Sequence, residues 1–300
     1  MNLTRMIRSL GLFTVSNPIL PNSVVSSVLR SNKIRFEPGL RAIDFGTGAN
    51  AASCISIDFD HFGAHYDSSR MSEGDAKKLE DTRIGTKLLL ELSRKYEIPM
   101  TWAICGRTAE LARESYQSIT NCGIKHEIAI HTYRHVDVTT CTPEQFEMDV
   151  RKCIEVLGLH KAPSTFVFPW DRDGQFEVLR NLGFKDFRGT HKSIGIPHKT
   201  DDELWSIPAA YYVDYYRSRG GSSLIKRYMD VSIAHDSVFH MHTHPWSLVA
   251  ENANSVDSLF VNLLDPVLKY MSMKMQEGSL ACLTMEDVVH CMEENARRSK

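Results

Sequence analysis

The sequence predicts an α/β fold built on a parallel sheet covered by helices. Two observations carry this. Short apolar, strand-type runs alternate with helix-type segments along the chain, and strand-then-helix repetition is the signature of parallel pairing. Polar residues able to do chemistry cluster at or just after four strand-type runs, where parallel α/β sheets collect their ligands.

Residues 1 to about 50 show no clear periodicity and contain Pro18, Pro21 and Pro38. They are expected to form an N-terminal extension or cap on a domain spanning 51–300. CISID (54–58) is a short apolar run, and 75–96 has helical period and composition. MTWAIC (100–105) reads as a strand, RTAELARESY (107–116) as a helix and HEIAI (126–130) as a strand. A strong helix start follows: Thr142 as N-cap, Pro143 at the first helical position and Gln145 completing a capping box, with Gly158 as the stop. TFVF (165–168) reads as a strand and 174–183 as a helix. SVFHMH (237–242) is a strand, and 258–276 a helix bent or broken at Pro266. SLACL (279–283) and a helix over 284–298 capped by Thr284 close the chain.

The chain of 300 residues is 42% hydrophobic and 24% charged, enough for a substantial core. A formal net charge of −2 offers no basic field for nucleic acid. No run approaches the roughly 20 apolar residues of a membrane span. The N-terminus lacks the long apolar core and cleavage site of a signal peptide. Seven cysteines without C-x-x-C or zinc-finger spacing read as buried thiols, which predicts a cytoplasmic protein.

The four polar clusters are Asp58 with Asp60, His131 with His135, FPWDRDG (168–174) and HMHTHPW (240–246). Histidines at i and i+4 on a helical turn can reach one ion, and a carboxylate commonly completes such a site. Taken singly, each cluster has an ordinary reading. Asp58-Phe59-Asp60 also fits the D-x-D motif of glycosyltransferases. His126 reads as structural, and His61 and His65 as possible cleft residues. His240, His242 and His244 alternate along one strand face. AIDFGTGAN (42–50) is similar to a methyltransferase glycine turn, but a strand follows it where a helix is required.

Together the clusters resemble the polysaccharide deacetylase superfamily, the NodB-homology group, over roughly residues 50–290. The most specific stretch is HEIAIHTYRHVDVTTCTPEQFEMDVRKCIEVLG, which is similar to the family's H-[ST]-x-x-x-H metal motif. ISIDFD resembles its aspartate motif, FHMHTHPW its late His-Pro strand and LACLTMEDVV its closing strand and helix. The resemblance implies a distorted (β/α) barrel with a divalent metal, zinc being the expected ion. It implies Asp60, His131 and His135 as ligands, Asp58 as base and His244 as acid, with the two aspartates exchanged as an alternative. Pro169 and Trp170 would supply the oxyanion turn, and Trp170 and Trp246 could stack on a sugar ring.

Two departures stand out. The aspartates are separated by Phe59, and Val167 occupies the place of an arginine that steadies the base; Arg172 is the substitute nearest in sequence. The implied activity is hydrolysis of an N-acyl (acetyl) group on a sugar or glycan precursor. Hydrolysis of another linear or cyclic amide or ureide is the runner-up, and a metal-free glycan binder a third reading.

Overall fold

The structure is a computed structural model, and it describes residues 35–36, 43–46, 48–61, 72–189, 193–213, 221–249 and 263–298. Most of the expected N-terminal extension and His65 lie outside the described residues. In chain order the elements are β1 (Arg35–Phe36), β2 (Ala52–Phe59), α1 (Glu73–Tyr96), β3 (Thr101–Ile104), α2 (Gly106–Leu111), α3 (Arg113–Thr120) and β4 (Glu127–Ile130). Then come α4 (Pro143–Val156), β5 (Thr165–Phe166), α5 (Phe176–Leu182), β6 (Asp186–Gly189), β7 (Ser193–Ile194), β8 (His198–Lys199), β9 (Trp205–Pro208) and β10 (Tyr211–Tyr212). The chain continues through α6 (Gly221–Ala234), β11 (Val238–Thr243), α7 (Asp265–Gln276), β12 (Ala281–Cys282) and α8 (Met285–Arg298).

The main sheet runs β10-β11-β2-β3-β4-β5-β6-β9-β8, with β12 also on β2. Every pairing in it is parallel except β8 with β9. The sheet curls into a half-barrel surrounded by helices, a distorted (β/α) barrel.

Helix starts follow the expected chemistry. The Thr142 side chain accepts from the Gln145 N–H, and the Gln145 side chain accepts from the Thr142 N–H, closing the capping box of α4. One expectation is corrected. Residues 107–116 are split between α2 and α3 at Ala112, whose φ of −120° and ψ of 50° leave the helical region. Pro266 lies in the first turn of α7, where its missing N–H costs nothing, and residues 258–262 of the expected helix lie outside the described residues.

Strand alternation sorts the side chains into two faces. Trp102 and Ile104 of β3 and Ile130 of β4 go outward, into one core with Phe59, Phe146 and Phe166 beneath the helices. Ala103, Ala129 and Val167 form a small apolar floor on the inner face. Register sets two inner rows. His242, Ser56, Thr101 and Glu127 pair in sequence across β11-β2-β3-β4, whereas Thr165 and Asp186, paired across β5-β6, belong to the next row, since Ile130 pairs with Phe166. One step toward the strand C-termini, Asp58, Ala103 and Ala129 are in register. Ile43, Phe45 and Ala49 are buried against Ala52, Cys54, Val238 and Val288, where the inner face begins at the N-terminal ends of β2 and β11.

A buried acid pair links the two rows. The single Thr165 hydroxyl bridges Glu127 and Asp186. Glu127 Oε2 also accepts from the Thr101 hydroxyl at 2.7 Å and the Glu286 N–H at 3.1 Å, tying α8 to the sheet. One hydroxyl carries one proton, so the bridge is complete only when one carboxyl is protonated. Burial, and then the Asp186 charge, raise the Glu127 carboxyl; burial also raises Asp186. A carboxyl raised in the fold contributes stability fully below its unfolded pKa and loses it as pH climbs through the folded value. Glu127→Gln carries the needed hydrogen permanently. It should therefore unfold at higher temperature than wild type at alkaline pH, with the difference shrinking toward pH 4. Melting curves across pH check this, and a constant difference would contradict it.

Candidate metal and hydrolytic site

The site is assembled at the C-terminal ends of β2, β4 and β11. Asp58 and Asp60 stand two apart at the end of β2, so both reach the inner face while Phe59, fully buried, enters the core. The intervening phenylalanine is thus a consequence of strand alternation.

His131 and His135 follow β4 in an irregular turn instead of the expected helical one, with Thr132 at φ 59° and His135 at φ 55°. Such backbone costs on the order of 1–3 kcal/mol per residue and persists only where surroundings enforce it. Here Asp149 of α4 enforces it: its Oδ1 accepts from the N–H groups of Tyr133 (2.6 Å) and Arg134 (3.1 Å), and its Oδ2 from Arg134 Nε (2.9 Å). The N–H groups of Gly106 and Arg107 at the start of α2 donate to the carbonyls of Thr132 and Tyr133. Gly106 is required by closeness, since a Cβ there would lie 2.8 Å from Tyr133 Cδ2.

Asp60, His131 and His135 bring their ligand atoms within 4.8 Å of one another, and all three residues are buried. His135 Nε2 is 3.3 Å and His131 Nε2 3.7 Å from Asp60 Oδ2. His131 Nδ1 lies 2.8 Å from the Val167 carbonyl, which fixes its proton there and turns the Nε2 lone pair inward. Asp60 Oδ2 and His131 Nε2 are buried without a hydrogen-bond partner. Burying such atoms unpaired is costly, and an oxygen with two imidazole nitrogens suits a divalent cation. The residues present therefore fit the implied metal. Asp60, and not Asp58, is the carboxylate beside the histidines. Burial opposes its charge, but His244, His131 and His135 outweigh it and hold the carboxyl well below the usual range.

Asp58 is held differently. Arg188 of β6 grips it with both arms, Nη1 to Oδ1 at 2.5 Å and Nη2 to Oδ2 at 2.8 Å. Burial opposes the Asp58 charge, but Arg188, followed by His131, overrides it and holds the carboxyl far below the usual carboxylate range. Arg188 also touches Ser56 Oγ at 3.2 Å and Asp171 Oδ1 at 3.1 Å. The expected substitute, Arg172, is a correction: it is exposed and pairs with Asp137. The physical reason is strand geometry. Val167 is built into the apolar floor, and the next inward-facing position for a cation beside Asp58 is on the adjoining strand.

His244 completes the set. Its Nε2 is 3.5 Å from Asp60 Oδ2 and 3.9 Å from Asp58 Oδ2. Pro169 is buried, and Trp170 at φ 62° forms a turn at the rim. The Trp170 ring packs edge-on to His135 at 4.9 Å, its Nε1 donates to the His135 carbonyl at 3.3 Å, and 45% of the residue remains exposed. Trp246, expected to stack on a sugar, is committed elsewhere. Its Nε1 donates to Asp60 Oδ1 at 3.0 Å, its ring packs on His244 at 4.8 Å, and Lys78 Nζ sits 4.6 Å from the ring centroid.

Other histidines fall outside the cluster. His61 is buried and lies 2.9 Å from Thr108 Oγ1, which corrects its reading as a cleft residue. His126 Nδ1 accepts from the Met100 N–H. His240 Nε2 meets Ser56 Oγ at 2.9 Å, and burial lowers its pKa well below the ordinary value. His242 stacks flat on Tyr212 at 4.7 Å, its pKa lowered to about 4 by burial and then by Arg188. Sequence reading missed Arg188, Asp149 and Tyr212, and met Asp171 only as part of the 168–174 stretch.

A family model for polysaccharide deacetylases matches residues 79–179. A peptidoglycan deacetylase of Helicobacter pylori is 33% identical over 106 residues, 34% of this chain and 36% of that protein. The match therefore spans about a third of that relative. Among solved structures, a polysaccharide deacetylase from Mycobacterium smegmatis aligns at a TM-score of 0.66 with 16% identity, covering 86% of this chain and 96% of that one. The PuuE allantoinase structure aligns at 0.61 with 14% identity, covering 81% and 90%. At these identities the structures share the fold. The family match encloses His131, His135, Pro169, Trp170 and Arg172, whereas Asp58, Asp60, Arg188 and His244 lie outside it.

Proposed function

Since the chain belongs to the polysaccharide deacetylase superfamily, we propose that it hydrolyses the amide of an N-acetylated amino sugar in a glycan or glycan precursor. The observation that carries this is the convergence of three buried, mutually close ligand atoms of Asp60, His131 and His135 beside an arginine-held carboxylate and a histidine. Asp60, His131 and His135 would hold a divalent cation, zinc by its preference for mixed nitrogen and oxygen donors. When bound, it would supply Lewis acidity, polarising a carbonyl and acidifying water.

Asp58, Trp170 and His244 each have a task beside that site. Asp58, kept ionised by Arg188, takes a proton from the attacking water. The Trp170 turn donates its backbone N–H to the developing oxyanion. His244 Nε2 gives a proton to the departing nitrogen. Trp170, exposed at the rim, offers a face to the sugar ring. Seven cysteines, all free thiols, support the reducing cytoplasmic setting expected from the sequence and thus a sugar precursor as substrate. Among the described residues no helix is long and apolar enough to cross a membrane.

Acetate release over a panel of N-acetylated nucleotide sugars, short chitin and peptidoglycan fragments, and a cyclic ureide tests the reading. Wild type should release acetate from at least one sugar, and Asp58→Asn should lower that kcat about 100-fold, in the range of general base catalysis. Turnover of the ureide alone would replace the deacetylase reading with the ureide one.

A further inference from the structure

We propose that Tyr212 is a positioning residue that holds the imidazole of His244 for proton delivery, an inference that rests on the deacetylase reading of the site. Tyr212 closes β10 and is in register with His242 of β11. Its hydroxyl lies 3.1 Å from His244 Nδ1. The opposite ring nitrogen, Nε2, is the one that faces Asp60 and Asp58. The imidazole is therefore strung between the tyrosine and the reaction side, and the tyrosine contact decides which nitrogen faces the substrate.

The tyrosine is itself fixed. Its ring stacks on His242 at 4.7 Å with planes 4° apart. His242 Nε2 is 3.8 Å from Asp171 Oδ2, and Asp171 Oδ1 accepts from the Arg188 that grips Asp58. One connected set of side chains thus places both the base carboxylate and the acid imidazole. A hydroxyl both donates and accepts, so it keeps Nδ1 engaged whether or not that nitrogen carries a proton. A carboxylate in the same place would only accept. In the step itself the C–N bond breaks, its electron pair stays on nitrogen, and the Nε2 proton goes to that nitrogen. Misorienting the ring hurts amides, whose leaving nitrogen needs the proton, and spares activated aryl esters, whose leaving oxygen does not.

The test is Tyr212→Phe, which keeps the ring stacked on His242, made in wild type and in His244→Ala, with zinc content measured throughout. Tyr212→Phe should lower kcat for an acetylated amine about tenfold, a fraction of the 10²–10⁴ that a general acid supplies. KM, zinc content and aryl-ester turnover should stay within about twofold. In the His244→Ala background the same change should have almost no further effect, because both substitutions remove one function. Equal loss on amide and ester, or losses that multiply, would overturn the proposal. If the wild-type protein deacetylates nothing, the reading of the site fails, and the contact is then judged by the imidazole ¹⁵N resonances of His244. Tyr212→Phe should move the Nδ1 resonance by several ppm, and an unmoved resonance overturns the positioning role.

Discussion

Alanine at His131 or His135 is expected to strip the divalent ion from the protein and take acetate release with it. On the proposed reading each histidine supplies one of three ligand atoms gathered among buried residues, and two ligands do not make a specific zinc site. Changing groups that merely orient a ligand already costs about 10–100-fold in metal affinity, so loss of a ligand should exceed about 100-fold. The fold should survive. His131→Ala gives up one hydrogen bond to the Val167 carbonyl, worth roughly 0.5–1.5 kcal/mol. It also loses an edge-on ring contact with His135, whose centroid is 4.8 Å away. Asp60→Ala should behave alike, whereas His126→Ala should keep the metal, because His126 meets the Met100 N–H far from the cluster. Metal analysis after gel filtration reads all four, with circular dichroism as the folding check. Full metal occupancy in the His131→Ala/His135→Ala protein would place the ion elsewhere.

Arg188→Met is the second large effect, and here both catalysis and stability should fall. The substitution leaves Asp58 buried without its bidentate partner, and breaking a buried ion pair from one side costs about 3–5 kcal/mol. The pH dependence follows from the direction of the shift. Asp58 is held below its ordinary value in the fold, so its contribution is present above the unfolded aspartate pKa of about 3.9 and is lost as pH falls through the folded value. Without Arg188 that loss moves toward neutral pH, and the carboxyl is protonated where the base is needed. The variant should therefore melt earlier, lose turnover about 100-fold near pH 7, and recover part of it at alkaline pH, with metal retained. Arg188→Lys should recover little, because an ammonium cannot match both carboxylate oxygens. Arg172→Ala, on an exposed pair with Asp137, should stay within about twofold of wild type. Equal losses from the two arginines would return the positioning role to the 168–174 turn.

What was legible in the sequence had either strong periodicity or strong chemistry. The α4 capping box, the i, i+4 histidines, the two aspartates and His244 are all marked by residue type, and the structure brings Asp60, His131 and His135 within 4.8 Å of one another. The stretch from 184 to 236 went unread, and it holds β6, β10, Arg188 and Tyr212. These strands are two to four residues long. In Asp186-Phe187-Arg188-Gly189 the inward positions are an acid and a base, so no apolar alternation announces a strand. The alternation is nevertheless present: Phe187 enters the core while Asp186 and Arg188 face inward. A signal for Asp149 was available, since it is an acid on the apolar stripe of α4 beside Phe146, Val150 and Cys153. A carboxylate on such a stripe requires partners, and the backbone of the 131–135 turn provides them.

If Asp60, His131 and His135 hold the ion at which the amide is hydrolysed, acetate release must follow the metal they bind. Acetate release by metal-stripped protein, followed as zinc is added in sub-stoichiometric steps, measures this. The rate should climb linearly from near zero and break sharply at one equivalent in wild type, with no rise in Asp60→Ala. A stripped protein that already turns over at the full rate, or an Asp60→Ala protein that zinc restores as fully as wild type, would contradict it.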